Sequence, residues 1–145
     1  MAAFPSVKWF DDVRQIFNND ESFRGGGGGL CNCVAGIKVG DEIFILSFEG
    51  FECVEARQAN MSDLDEVDFY LDMGFLEWRA MIENIRQNEH ASLGYTLNTL
   101  DLDRAERLAT SVHGDQYRED LFFRYNQTLQ YFFDASSRIK TEFAR

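Results

Sequence analysis

The chain has 145 residues, which suffice for one domain with a continuous core and are too few for two ordinary domains. Its 25 Asp and Glu outnumber its 14 Lys and Arg, and the formal net charge of −11 repels nucleic acid phosphates and anionic lipid surfaces. This charge argues against a nucleic-acid-binding protein and is typical of a solvated acidic surface or of a protein with a cationic partner. No run of apolar residues is long enough to predict stable membrane insertion.

The cysteines form an odd set of three, Cys31, Cys33 and Cys53, with one close pair. This number and spacing favour neither a disulfide framework nor a closed zinc site. On a strand, Cys31 and Cys33 would point to the same face, where cysteine usually behaves as a small buried hydrophobe. The N-terminus lacks a basic region followed by an apolar run. We therefore expect a reduced, cytoplasmic protein without a metal or other cofactor.

A first helix is predicted to begin at Pro5 and Ser6 and to end at 18–20. Its apolar stripe contains Val7, Phe10, Val13, Ile16 and Phe17, with Trp9 at the edge. The five glycines 25–29 that follow indicate a mobile loop. They do not match a phosphate-binding loop, because such a loop follows a strand and opens a helix.

Three strands are predicted next, in a meander. The first runs from Leu30 to Val39, and Gly40-Asp41 forms a tight turn into the second, Glu42 to Phe48. Residues 43–46 are apolar on both faces, which indicates a central strand or one that is covered on both sides. Phe51 to Arg57 forms the third strand. The inward face of the first strand contains Cys31, Cys33, Ala35, Ile37 and Val39.

Two periodicities meet within residues 66–87. Val67, Phe69, Leu71 and Met73 alternate with polar residues, as in a strand with one buried face. Gly74 ends this pattern. The residues that follow recur at spacings of three and four, so the strand leads directly into an amphipathic helix. The apolar positions of this helix are Phe75, Trp78, Met81, Ile82 and Ile85.

The pattern weakens at 92–100, which could be a short strand or an irregular connection. Asp103 and Glu106 then form a capping-box arrangement before a short helix that is predicted over 105–112 and closed by Gly114. A long helix is predicted from about Asp115 to Ala135. Its apolar arc contains Tyr117, Leu121, Phe122, Tyr125, Leu129, Phe132 and Phe133.

This order of elements resembles the sterol carrier protein 2 (SCP2-like) family. The residues that carry the resemblance lie within 4–88: Phe4, Ser6 and Trp9, the hairpin 39–42, and the stretch 69–78. The resemblance implies one α+β domain over 1–145, with a mostly antiparallel five-stranded sheet and helices packed on one face around an apolar cavity. After Asn88, the Gly-rich segment and the final strand typical of the family are not obvious.

The resemblance and the high phenylalanine content predict binding or transfer of a hydrophobic ligand, such as a sterol, a fatty acid or an acyl-CoA, in an internal cavity. The expected partner is a hydrophobic small molecule or lipid, and the expected state is a monomer or weak homodimer. No catalytic or metal-binding residues are predicted. The predicted ligand-binding residues are Phe75, Trp78, Met81, Ile82, Ile85, Phe122, Leu129 and Phe133.

The alternative is a small cofactor-free enzyme that acts on an apolar substrate in the same pocket, with a buried carboxylate as base. The strand carboxylates Glu52, Glu55, Asp68 and Asp72 are candidates, although their positions favour a solvent-facing location. The two histidines, His90 and His113, have no companions at metal-ligand spacing. A third hypothesis is a module whose sheet or helix edge binds another protein.

Overall fold

A computed structural model of the protein describes residues 2–20, 31–92, 94–97, 100, 108–110 and 116–143. Short 3₁₀ helices cover Met61–Glu66 and Ala135–Arg138. The other elements are β1 (Ala2–Phe4), α1 (Val7–Asn19), β2 (Cys33–Val39), β3 (Glu42–Glu49), β4 (Glu52–Ala59), β5 (Phe69–Met73), α2 (Phe75–Asn88), β6 (Ala109–Thr110), α3 (Gln116–Asp134) and β7 (Thr141–Phe143).

The main sheet has five strands in the order β4-β3-β2-β5-β6. The chain meanders through β2, β3 and β4, and the first 3₁₀ helix then carries it back to β5 on the other side of β2. The pairing of β2 with β5 is parallel, whereas the other three pairings are antiparallel. This arrangement confirms the predicted α+β class and the mostly antiparallel five-stranded sheet.

Both turns of the meander contain a glycine with positive φ, 61° at Gly40 and 63° at Gly50, a conformation that residues with a Cβ rarely adopt. The first turn joins Val39 directly to its partner Glu42, as the hairpin pattern predicts. Residues 43–46 of β3 are all buried. Because they alternate between the two faces of the sheet, the prediction of a strand covered on both sides is confirmed.

The three long helices lie on one face of the sheet, where their apolar stripes meet the inward residues of β2, β3 and β5 in one core. The opposite face carries a smaller cluster of Ile43, Ile45, Leu64 and Val67, in which Leu64 comes from the first 3₁₀ helix. A Cβ on Gly36 would lie 2.7 Å from Tyr70 Cβ and 2.9 Å from Leu64 Cδ2. The second cluster therefore packs closely only because residue 36 has no side chain.

Helix α1 begins as predicted, because the Ser6 hydroxyl accepts a hydrogen bond from the Trp9 amide at 3.1 Å. The stripe prediction is wrong at two positions, since Trp9 is fully buried and Val7 is exposed. Strands β1 and β7 form a separate parallel pair beside this helix. The indole N–H of Trp9 donates to the hydroxyl of Thr141 in β7 at 2.9 Å, so Trp9 is buried by a segment distant in the sequence.

Helix α1 also covers the outer edge of the sheet. Asn18 bonds both backbone groups of Cys53 in β4: its Oδ1 accepts from the Cys53 amide and its Nδ2 donates to the carbonyl, each at 2.8 Å. Arg14 donates to the same carbonyl at 3.3 Å. The Asn18 side chain therefore occupies hydrogen-bonding positions that a neighbouring strand would use, which protects this edge from pairing with another chain.

Two predictions for the C-terminal half are wrong. Residues 109–110, predicted to be helical, form β6 and pair with Tyr70 and Leu71 of β5, because a neighbouring strand supplied hydrogen-bond partners that local propensity does not report. Tyr117 is 72% exposed, since the contact of α3 with the core begins at Leu121 among the side chains that are described. The glycines 25–29, the capping pair Asp103 and Glu106, His113 and Gly114 lie outside the described residues.

Candidate functional site

Helix α2 supplies five of the eight predicted ligand-binding residues. It begins after Gly74, whose amide donates to the Glu77 carboxylate at 3.4 Å, and it ends at Glu89 in a left-handed conformation with φ 68°. The indole of Trp78 is fully buried and its N–H donates to the Lys38 carbonyl at 2.9 Å, which fixes the helix against β2. All five residues are buried in the main core, namely Phe75, Trp78, Met81, Ile82 and Ile85.

Helix α3 supplies the other three residues, Phe122, Leu129 and Phe133, which are fully buried. The rings of Phe133 and Trp78 are 5.3 Å apart between centroids, so the two helices meet through these side chains. Phe122 contacts Phe69 of β5 with a centroid distance of 6.0 Å. The structure thus brings all eight residues into one core, and their contact with a ligand stays a prediction.

The sequence analysis missed part of the wall around this core. The rings of Trp9 and Phe10 in α1 lie 6.3 Å and 6.4 Å from Phe133, and Phe10 is 4.7 Å from Phe44 of β3. An aromatic cluster therefore runs from the sheet through all three helices. The apolar spacing of α1 indicated a buried face but could not show which other helix this face contacts.

Gln130 and Asp134 are a second feature that the sequence did not reveal. They are four residues apart on α3 and lie outside its apolar arc, yet both are buried. Asp134 Oδ1 accepts hydrogen bonds from the Ala91 amide and from Gln130 Nε2, each at 3.1 Å, and Gln130 Oε1 accepts from the Leu97 amide at 2.7 Å. They are buried because residues from Ala91 to Ser92 and from 94 to Leu97 cover this side of α3.

Burial raises the pKa of the Asp134 carboxyl above its ordinary value, against the opposing effect of the two hydrogen bonds and of nearby His90. The folded state therefore binds this proton more tightly than the unfolded state. The contribution of Asp134 to stability is most favourable below the unfolded pKa of 3.8 and decreases as the pH rises through the folded pKa.

We expect Asp134→Asn, which keeps the acceptor oxygen and removes the charge, to leave the free energy of unfolding at pH 7 unchanged or higher. Asp134→Ala leaves the Ala91 amide and Gln130 Nε2 without their acceptor and should cost about 1–3 kcal/mol. Urea unfolding of both variants and the wild type at pH 4 and pH 7 checks this. A larger loss in the asparagine variant than in the alanine variant at pH 7 would contradict it.

The three cysteines are free and buried, which confirms the predicted burial of Cys31 and Cys33. Cys31 and Cys33 lie with their Sγ atoms 3.6 Å apart, and their hydrogen bond, together with burial, raises the pKa of the Cys33 thiol far above its ordinary value. Burial raises the pKa of Cys53 to about 12. Both thiols therefore stay protonated at neutral pH, and the thiolate, which is the nucleophile, is disfavoured at Cys33 and Cys53.

The carboxylates considered for an enzyme lie outside the core. Glu52 and Glu55 are exposed, and Asp68 and Asp72 are half-buried. Asp68 accepts a hydrogen bond from the Val34 amide at 2.8 Å, and Asp72 lies 3.5 Å from Lys38 Nζ. His90 is exposed.

Within the described ranges, no group of three or more His, Cys, Asp or Glu could hold a metal ion. No helix in these ranges is long and apolar enough to cross a membrane.

Comparison with known proteins gives one structural likeness. No family model matches the sequence, and no curated protein matches it. A crystal structure of sterol carrier protein 2 superposes on this chain with a TM-score of 0.65, covering 93% of this chain and 98% of that one at 14% sequence identity. The chain therefore has the fold of sterol carrier protein 2, which confirms at the level of architecture the resemblance inferred from residues 4–88.

Proposed function

We propose that this protein binds a hydrophobic ligand, a sterol, a fatty acid or an acyl-CoA, between the main sheet and helices α2 and α3. The observation that carries the proposal is the fold, shared over 93% of the chain with a protein named as a sterol carrier. The residues proposed to contact the ligand all lie in the main core, and they are Phe75, Trp78, Met81, Ile82, Ile85, Phe122, Leu129 and Phe133.

The chemistry of these residues supports an apolar ligand. All eight side chains are apolar or aromatic, so the hydrophobic effect would supply most of the affinity. Burying about 500 Å² of a long acyl chain contributes roughly 12 kcal/mol. After a cost of at least about 4 kcal/mol for lost freedom, the remainder corresponds to micromolar affinity. The proposal requires neither a cofactor nor a second chain, in line with the expected monomer or weak homodimer.

The ring contacts between Trp78 and Phe133 show that side chains fill the space between α2 and α3 in this structure. A ligand that enters must therefore move these rings and separate the helices locally. Such a rearrangement lowers the apparent affinity by the fraction of molecules that are competent to bind. We accordingly expect binding to be slower than diffusion permits.

The test is direct. Protein purified without detergent is examined by native mass spectrometry, then delipidated and titrated with a fluorescent fatty acid and a fluorescent sterol. We expect a co-purified lipid or a dissociation constant in the micromolar range or tighter. Leu129→Ala should weaken binding, whereas Phe123→Ala, on the exposed side of the same helix, should not. Failure of every acyl and sterol probe to bind would reject the proposed function.

A further inference from the structure

A strap, defined as residues 91–92 and 94–97, is hydrogen-bonded to side chains of both α2 and α3. The position between these two ranges lies outside the described residues. Ala91 and Leu97 are buried in the core, with Leu97 fully enclosed. The strap therefore covers the core between the two helices that carry all eight proposed ligand-binding residues.

Side chains from both helices hold the strap. On the α2 side, Asn84 Oδ1 accepts from the Ser92 amide at 2.8 Å, and Asn84 Nδ2 donates to the Ser92 hydroxyl at 2.9 Å. On the α3 side, the carboxylate of Asp134 accepts from the Ala91 amide at 3.1 Å and the amide oxygen of Gln130 accepts from the Leu97 amide at 2.7 Å. Three strap amides thus bond to side chains rather than to backbone carbonyls.

Because it is held by these bonds, the strap can open while the helices beneath it stay in place. A backbone ladder in a sheet or helix opens cooperatively, whereas isolated side-chain bonds to backbone amides open one at a time, and segments of this kind have low local stability. The helices beneath are fixed differently, since α2 is attached to the sheet through the buried Trp78 and α3 through buried phenylalanines. Local opening on this side should therefore begin at the strap.

We propose that the strap is the gate of the ligand site, and that Asn84, Gln130 and Asp134 hold it closed. This inference rests on the proposed function. Asn84 follows Met81 by three residues on α2, and Gln130 precedes Phe133 by three residues on α3. Residues at this spacing are neighbours on a helix surface, so the bonds are next to proposed ligand-binding residues. When they open, Leu97 leaves the core and exposes the path between the helices.

The test compares ligand exchange in variants of the full chain. With a fluorescent polyene fatty acid and stopped-flow mixing, Gln130→Ala should raise the association and dissociation rates by about five- to tenfold, the effect of losing its one hydrogen bond to the strap. The dissociation constant should change by less than about threefold, because opening of the gate changes the association rate and the dissociation rate by similar factors. Asn84→Ala, at the other end of the strap, should act in the same direction and serves if Gln130→Ala does not fold.

The matched control is Asn18→Ala, which also removes side-chain bonds to backbone groups but lies on the edge of β4. It should destabilise the protein to a similar degree and leave both exchange rates unchanged. A locked variant combines Asn84→Cys with Ser92→Cys. An added disulfide oxidant accepts two hydrogens from the two thiols, which then form a disulfide between α2 and the strap. Ligand exchange should then be slower by at least about tenfold, and a reductant should restore the original rate.

The outcomes separate the two proposals. If the wild type binds no probe, the proposed function is rejected and the gate with it. If the wild type binds but Gln130→Ala, Asn84→Ala and the locked variant all exchange at the wild-type rate, the gate alone is rejected. Equal acceleration by Asn18→Ala would also reject it, because general destabilisation would then explain the effect.

Discussion

Phe133→Ala is expected to lower the free energy of unfolding by about 3–5 kcal/mol. Its side chain is fully buried and lies between helices, with ring centroids 5.3 Å from Trp78, 5.4 Å from Phe132 and 6.3 Å from Trp9. Removal leaves a cavity that neighbours on three elements cannot all fill. Urea unfolding followed by tryptophan fluorescence measures the effect, since both tryptophans are in this cluster.

The control for Phe133→Ala is Phe123→Ala on the same helix, which is 46% exposed and should change the stability by about 0.5 kcal/mol or less. The lipid affinity of Phe133→Ala shows whether the buried face of α3 contacts a ligand. A loss of stability clearly below 3 kcal/mol together with weaker lipid binding indicates that part of the ring faces a ligand space. A full loss with unchanged lipid affinity shows that α3 is ordinary core and contradicts its place in the proposed site.

Gly36→Ala is expected to destabilise the protein by about 1–3 kcal/mol, although alanine is ordinarily the better residue in a strand interior. The added Cβ would meet Tyr70 Cβ at 2.7 Å, and this atom cannot move without displacing the backbone of β5. Because β2 and β5 are the parallel pair at the centre of the sheet, the displacement would extend to the start of α2. Thermal unfolding monitored by circular dichroism checks this.

Gly94→Ala provides the comparison for Gly36→Ala, because a Cβ at position 94 meets no atom within 4 Å. It should be neutral or slightly stabilising. A neutral Gly36→Ala would contradict the close packing of the 3₁₀ helix on the second face of the sheet, and with it the cluster around Leu64.

The sequence by itself determined the elements whose periodicity is strong and local. Three features follow from residues close together in the chain: the hairpin at Gly40, the change from strand to helix at Gly74, and the inner face of α3 from Leu121 onward. The burial of the eight proposed ligand-binding residues also follows, because an apolar stripe on a helix has to be buried against another element. The elements that lie opposite these apolar helix stripes in the core were predicted only through the family resemblance.

The tertiary structure decided the features that depend on pairing between distant segments. Residues 109–110 became a strand because β5 offered a free edge, and Trp9 became buried because β7 brought Thr141 to its indole. Gln130 and Asp134 lie outside the apolar arc of α3, so periodicity predicts exposure for them, yet the strap buries them and bonds to them. Periodicity reports which side of an element is apolar, whereas the identity of the covering segment depends on contacts that no local pattern records.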